Sequence, residues 1–271
     1  MEFRTRVDIP SPPFAIAPLE RLLFVGSCFA DNIGKRFEQE KFPCVINPYG
    51  VMYNPASILH TIERFAEESG NDVPATAFLT LGTNHLYRFK ETGEIVDNCR
   101  KRPQKLFREE ELSVEECYTF LQQAVDKLRR LNPQIKIIVT VSPIRYAKYG
   151  FHGSQLSKAV LLLAANKLAN ASHYSAYFPA YEIVQDELRD YRFYNSDMLH
   201  PSQQAVEYIW EQFSEAYLSA EAKEFIREWH PIKAALAHRP FNPSSAEYKL
   251  FMEETRHKAQ QLAERYPGFK I

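Results

Sequence analysis

Glycine is scarce in this chain. Only nine occur in 271 residues, and no two stand two or five positions apart. A Gly-x-Gly-x-x-Gly dinucleotide fingerprint needs the first spacing and a phosphate-binding P-loop the second, so both are excluded. Cysteine is sparser still: Cys28, Cys44, Cys99 and Cys117 form no Cys-x-x-Cys pair, and no His-Glu-x-x-His occurs. A chain of this size needs no disulfide framework, so the thiols are expected to be reduced, with no metal and no cofactor called for. Charge of either sign is in no excess. Lys and Arg number 33 against 34 Asp and Glu, a net charge of −1, which argues against nucleic acid or an anionic membrane as partner. Long apolar runs are missing too, since none approaches the ~18 residues of a membrane span. The opening Met1–Asp8 has no apolar signal core, so a cytoplasmic location is expected.

What is present is material for a core. Hydrophobic residues make up 45% of the chain, with 19 Phe and 15 Tyr among them. That suffices for one large domain, or a domain of about 200 residues with an appendage. Leu22–Val25 reads as a buried strand, followed at once by Gly26, Ser27 and a helical pattern to about residue 40. Cys44–Ile46 and Ala77–Leu81 read as further strands. Between them Asn54-Pro55 opens a helix to about residue 68, with Asn as N-cap and Pro in the first turn. Residues 84–98 alternate around Glu91–Glu94, which predicts an inserted hairpin. Ser113–Glu116 is a capping box for a helix to about Leu131. Ile135–Val141 is the clearest strand, a helix over about 154–171 follows, and Tyr174–Phe178 is the fifth strand candidate. Beyond His200-Pro201 the sequence is helix-prone almost to its end, with a second capping box at Ser244–Glu247.

Strands alternating with helices predict a mainly parallel sheet covered on both faces. The ligand site of such a sheet lies outside the carboxyl ends of its strands. Residues 1–219 are assigned to this α/β domain. Residues 220–271 have no strand signal and are assigned to a helical appendage packed on it.

Candidate chemistry falls just after the strands. Ser27 lies at a strand–helix turn, where free backbone N–H groups favour developing negative charge; the same position suits a plain helix cap. A serine nucleophile needs a base, and the base an orienting acid. Asp197-Met-Leu-His200 supplies both in one short segment, although Asp197 as a cap and His200 as a surface residue remain open. Asn54 and Tyr53 either line the pocket or, for Asn54, cap a helix. Arg145 follows the fourth strand and either holds a substrate anion or pairs with a local acid. Cys28 is a second candidate nucleophile, or an inward-packing residue at the helix start.

Phe24–Ala30 contains Gly26-Ser27-Cys28-Phe29-Ala30, and with it the chain resembles the GSCFA domain family. Asn47–Pro55, Thr80–Thr83, Val141–Ile144 and Asp190–Tyr194 leading to Asp197 and His200-Pro201-Ser202 carry the likeness over roughly residues 20–240. That family is grouped with the SGNH, or GDSL-like, hydrolases. The resemblance implies a flavodoxin-like α/β/α sandwich around a five-stranded mainly parallel sheet, and a serine-dependent esterase. It implies Ser27 as nucleophile, His200 as base and Asp197 as orienting acid, with the Ser27 and Gly50 amides and the Asn84 side chain as oxyanion donors. Gly82-Thr83-Asn84-His85 keeps the Gly and Asn of the family block but has His85 where an acid is usual. The expected substrate is a small acyl ester, acetyl or carbohydrate-borne among the candidates. An O-acyltransferase using the same triad and a non-catalytic binding module are the alternatives.

Overall fold

The computed structural model describes residues 4–70, 73–97, 99 and 102–270. Met1–Phe3, part of the opening segment, and Asn98, the last residue of the expected hairpin, lie outside them. The strands in chain order are β1 (Leu22–Gly26), β2 (Cys44–Ile46), β3 (Thr76–Leu81), β4 (His85–Phe89), β5 (Ile95–Val96), β6 (Phe107–Glu111), β7 (Lys136–Val141) and β8 (Ser175–Tyr177). The helices are α1 (Cys28–Gln39), α2 (Pro55–Glu68), α3 (Val114–Leu131), α4 (Gly150–Asn170), the single turn α5 (Ala180–Glu182), α6 (Gln203–Tyr217), α7 (Ala220–Ala237) and α8 (Ala246–Arg265). A π-helical turn, Ile183–Leu188, continues α5.

Five strands form one sheet in the order β2-β1-β3-β7-β8. Every pairing in it is parallel, so the expected α/β sandwich with a five-stranded sheet is the observed fold. Apolar runs without alternation are what a sheet buried on both faces requires. Phe24, Phe78 and Ile138 face one side, packing under α1, α6, α7 and α8. Leu23, Val25, Leu79 and Val139 face the other, under α2, α3 and α4. The first side is rich in aromatics: Phe24 stacks on Phe78 at 4.3 Å, and Phe37 meets Trp210 edge-on at 4.8 Å.

The C-terminal helices extend this first core. Phe225, Trp229, Leu262 and Phe269 belong to it, the Trp229 indole donates to the Gln39 carbonyl at 3.0 Å, and Lys233 reaches the buried Glu40 at 2.8 Å.

Two local expectations change. The inserted hairpin has a third strand, β6, giving an antiparallel sheet in the order β5-β4-β6. The cap of α8 is Ser245, which accepts from Tyr248 N–H; Ser244 instead donates to Asn242, so the Ser244–Glu247 capping box is not formed.

Candidate active site

The β1–α1 turn sits at the carboxyl edge of the sheet, and its geometry rests on Gly26. Gly26 has φ +142°, and a Cβ there would stand 2.1 Å from the Thr80 carbonyl oxygen, so only glycine lets β1 run this close to β3. Ser27 follows as the N-cap of α1 and is fully buried. Its Oγ accepts from Phe29 N–H at 3.3 Å and lies 3.4 Å from Thr80 Oγ1. Its own N–H donates to the Thr80 carbonyl at 3.0 Å. Asn47 braces the turn, accepting from Gly26 N–H at 2.9 Å and donating to Asp31 at 2.6 Å. From Leu22 to Ala30, Cys28 is the one residue that is not buried.

Asp197 and His200 come together as a pair. Asp197 Oδ2 meets His200 Nδ1 at 2.6 Å, while Oδ1 accepts the Leu199 and His200 amides at 2.9 and 3.0 Å. The two backbone donors and then the imidazole pull the Asp197 carboxyl down to about 2, so it is ionised across the neutral range. Both side chains are nearly half exposed, at 45% and 42%. The loop closes on itself, with Asn195 N–H donating to the His200 carbonyl and Met198 N–H to the Asn195 carbonyl. Met198 takes φ +58° to make that turn.

Arg145, at the exit of β7, ties this loop down. Its N–H donates to the Leu199 carbonyl at 3.0 Å and its guanidinium to the Met198 carbonyl at 2.9 Å, and it stacks over Phe151 at 4.1 Å. Neither expected role of Arg145, a substrate anion or a local acid, accounts for these contacts. Beside it opens a cavity of about 260 Å³ lined by Phe151, Gln155, Gln185, Tyr191 and Tyr194.

Of the three residues expected to form a triad, Asp197 and His200 are joined by a hydrogen bond. Among the described residues no hydrogen bond joins Ser27 to His200. The expected oxyanion donors are engaged inside the fold. The Gly50 N–H donates to the Asn47 carbonyl at 2.8 Å, closing the turn that leads out of β2. Asn84 is buried, its side-chain amide donating to the Leu112 carbonyl at 2.8 Å. Asn84 immediately precedes β4, and its backbone carbonyl accepts in return from the Leu112 N–H at 2.9 Å. His85 turns the same way, stacking on Tyr149 at 3.7 Å. Asn54 caps α2, accepting from Ser57 N–H at 2.9 Å. Tyr53 is exposed, its ring edge-on to Tyr146 at 5.9 Å, and its carbonyl accepts the Gly82 and Thr83 amides.

Residues 21–74 and 71–213 match the GSCFA family, and residues 229–271 match "GSCFA domain protein, C-terminal domain". The chain belongs to the GSCFA family. No curated protein matches it. Similar solved structures include a catalytic mutant of an acetylxylan esterase from Geobacillus stearothermophilus (12% identity, 75% of this chain and 96% of that one, TM-score 0.48). A GDSL-like lipase from Bacteroides thetaiotaomicron is 14% identical over 73% of this chain and 87% of its own, with TM-score 0.46. A carbohydrate esterase family 3 protein from Talaromyces cellulolyticus is 12% identical over 77% and 99%, with TM-score 0.44.

In this GSCFA chain two residues at the sheet edge escaped the sequence reading. Lys158 of α4 is almost wholly buried, and its ammonium donates to the Gly82 and Ser142 carbonyls, each at 2.7 Å. Burial pulls its value down to about 7. The available signal was periodicity: Ser154, Ser157, Lys158, Leu161, Ala165 and Leu168 share the buried face of α4. Tyr146 is the other. Its hydroxyl lies over Gly82, 2.4 Å from where a Cβ would stand, and has no hydrogen-bond partner.

Proposed function

We propose that this chain hydrolyses a small acyl ester at the carboxyl edge of the parallel sheet, with His200 as general base and Asp197 as its orienting acid. The observation that carries the reading is the Asp197–His200 pair itself. A carboxylate pinned by two backbone amides and 2.6 Å from Nδ1 fixes the imidazole tautomer and leaves Nε2 to take a proton. The β1–α1 turn, at the positive end of α1, supplies the nucleophile and a field that favours a developing oxyanion. It offers a hydroxyl and a thiol side by side, Ser27 and Cys28. The alcohol half of the ester lies in the cavity beside Arg145. Aromatic faces of Phe151, Tyr191 and Tyr194 with the Gln155 and Gln185 amides suit a sugar ring bearing an acetyl group.

The test is turnover of acetyl esters, including p-nitrophenyl acetate and acetylated sugars, by wild type and His200→Ala. Loss of the base is expected to lower kcat/KM by about 10³-fold or more, with stability changed by less than about 0.5 kcal/mol because the side chain is exposed. Equal rates would end the reading. Transfer of the acetyl group to an added sugar at the expense of hydrolysis would mark an O-acyltransferase. The missing Ser27–His200 hydrogen bond favours a second reading, a ligand-binding module without turnover, which saturable sugar-ester binding with no product would support.

A further inference from the structure

Ser27 and Cys28 differ in what their surroundings let them do. Ser27 is sealed from solvent, and its Oγ is held as the cap of α1, so an ester carbonyl cannot reach it without breaking the cap and opening the core. Cys28 is the next residue and the first of the helix, and the chain there breaks the surface. Its thiol lies within the electrostatic reach of several charged groups at this edge. The charges of Asp31, Lys158 and Asp197 all act on it, and it acts in turn on the Tyr53 and Tyr146 hydroxyls.

The Tyr146 hydroxyl supplies a second, independent observation. It is deeply buried, has no hydrogen-bond partner, and stands over Gly82 at the end of β3. A buried hydroxyl left unpaired costs about 1–3 kcal/mol, and a ligand oxygen at this edge would meet that unmet donor. Burial holds the pKa of this hydroxyl well above the ordinary phenol value, so it keeps its proton to donate.

We propose that the nucleophile of this site is the Cys28 thiol rather than the Ser27 hydroxyl, with the Tyr146 hydroxyl as the donor to the oxyanion. The proposal rests on the ester-hydrolase reading above and deepens it. Burial pushes the Cys28 thiol up and the Asp31 and Asp197 charges push it the same way, while its own backbone amide and the Lys158 charge pull only partly against them, so the thiol needs a base. His200 takes the S–H proton as sulfur bonds to the acyl carbon. The C–O ester bond then breaks, and the imidazolium returns the proton to the leaving alkoxide, leaving a thioester. Water, deprotonated by His200, attacks the thioester; the C–S bond breaks and the proton goes back to sulfur. In its ammonium form, the main one below about pH 7, Lys158, fixed by two carbonyls, steadies the thiolate that leaves.

The experiment is acid quench of the protein during turnover of p-nitrophenyl acetate, followed by trypsin digestion, which releases Leu22–Lys35 with both candidates on one peptide. The wild-type peptide is expected to carry an acetyl group that neutral hydroxylamine removes, as it does from a thioester. Cys28→Ala should lose that acetyl and at least about 10³-fold in turnover. Cys28→Ser should carry one that resists hydroxylamine. Ser27→Ala should keep the labile acetyl at lower stability, and Tyr146→Phe should keep it with kcat lowered about 10- to 100-fold. A hydroxylamine-resistant acetyl in wild type that survives Cys28→Ala and vanishes in Ser27→Ala would overturn the thiol and leave the esterase reading standing. Undiminished turnover by Cys28→Ala would do the same. No acetylation and no turnover of any acetyl ester by wild type would overturn both.

Discussion

The β1–α1 turn and the loop carrying Asp197 and His200 face the same edge of the sheet but are held by opposite means. The turn is built into the core: Gly26 lies against Thr80, Ser27 is sealed, and the neighbouring Phe24 and Phe29 are buried. The loop lies at the surface, its Asp197 and His200 side chains nearly half exposed, fixed by its own turn and by Arg145. Packing over-determines the first, and a handful of hydrogen bonds determines the second. A change in the turn should therefore be felt first as lost stability, and a change in the loop as lost activity.

The strongest way to break that contrast is Gly26→Ala. A Cβ 2.1 Å from a carbonyl oxygen at φ +142° has nowhere to go, and denaturant unfolding should show about 3 kcal/mol or more lost. A near-neutral result would mean that the turn is not locked by the core. Lys158 comes next, since it belongs to the buried side of the edge. Its folded value is lowered from 10.5 to about 7, so between these values the unfolded chain holds a proton the folded chain has lost, and stability rises with pH across that window. The rise should approach 1 kcal/mol per pH unit from pH 7 to 9 in denaturant midpoints and be absent in Lys158→Met. Smaller still is Arg145→Ala. Loss of the brace on the Met198 and Leu199 carbonyls should lower kcat/KM by about tenfold through misplacement of His200, with stability within about 1 kcal/mol of wild type. A large stability loss without an activity loss would reverse the assignment of this residue to the loop.

Much of the scaffold could be read from the chain because it is written in short-range pattern. Apolar runs bounded by turns gave each of the five parallel strands, and Asn54 and Ser113 marked two helix starts that the structure keeps. β6 escaped because Phe107–Glu111 is charged and mostly exposed. It exists through cross-strand partners on β4, such as Arg88 to Glu110 at 2.7 Å, which no local pattern carries. The pairing of Asp197 with His200 was legible from a spacing of three. The commitments of Gly50 and Asn84 were not, since Asn84 meets Leu112 28 residues away. The same holds for Lys158, whose carbonyl partners sit at the ends of two different strands.

The most direct test of the account is the acetyl content of the Leu22–Lys35 peptide after acid quench with p-nitrophenyl acetate, in wild type and His200→Ala. An acyl-enzyme formed at the turn and driven by the loop predicts an acetyl group on the wild-type peptide and a rate of its formation lower by about 10³-fold in the variant. An acetyl group that forms equally fast in both, or only on peptides elsewhere in the chain, would contradict it.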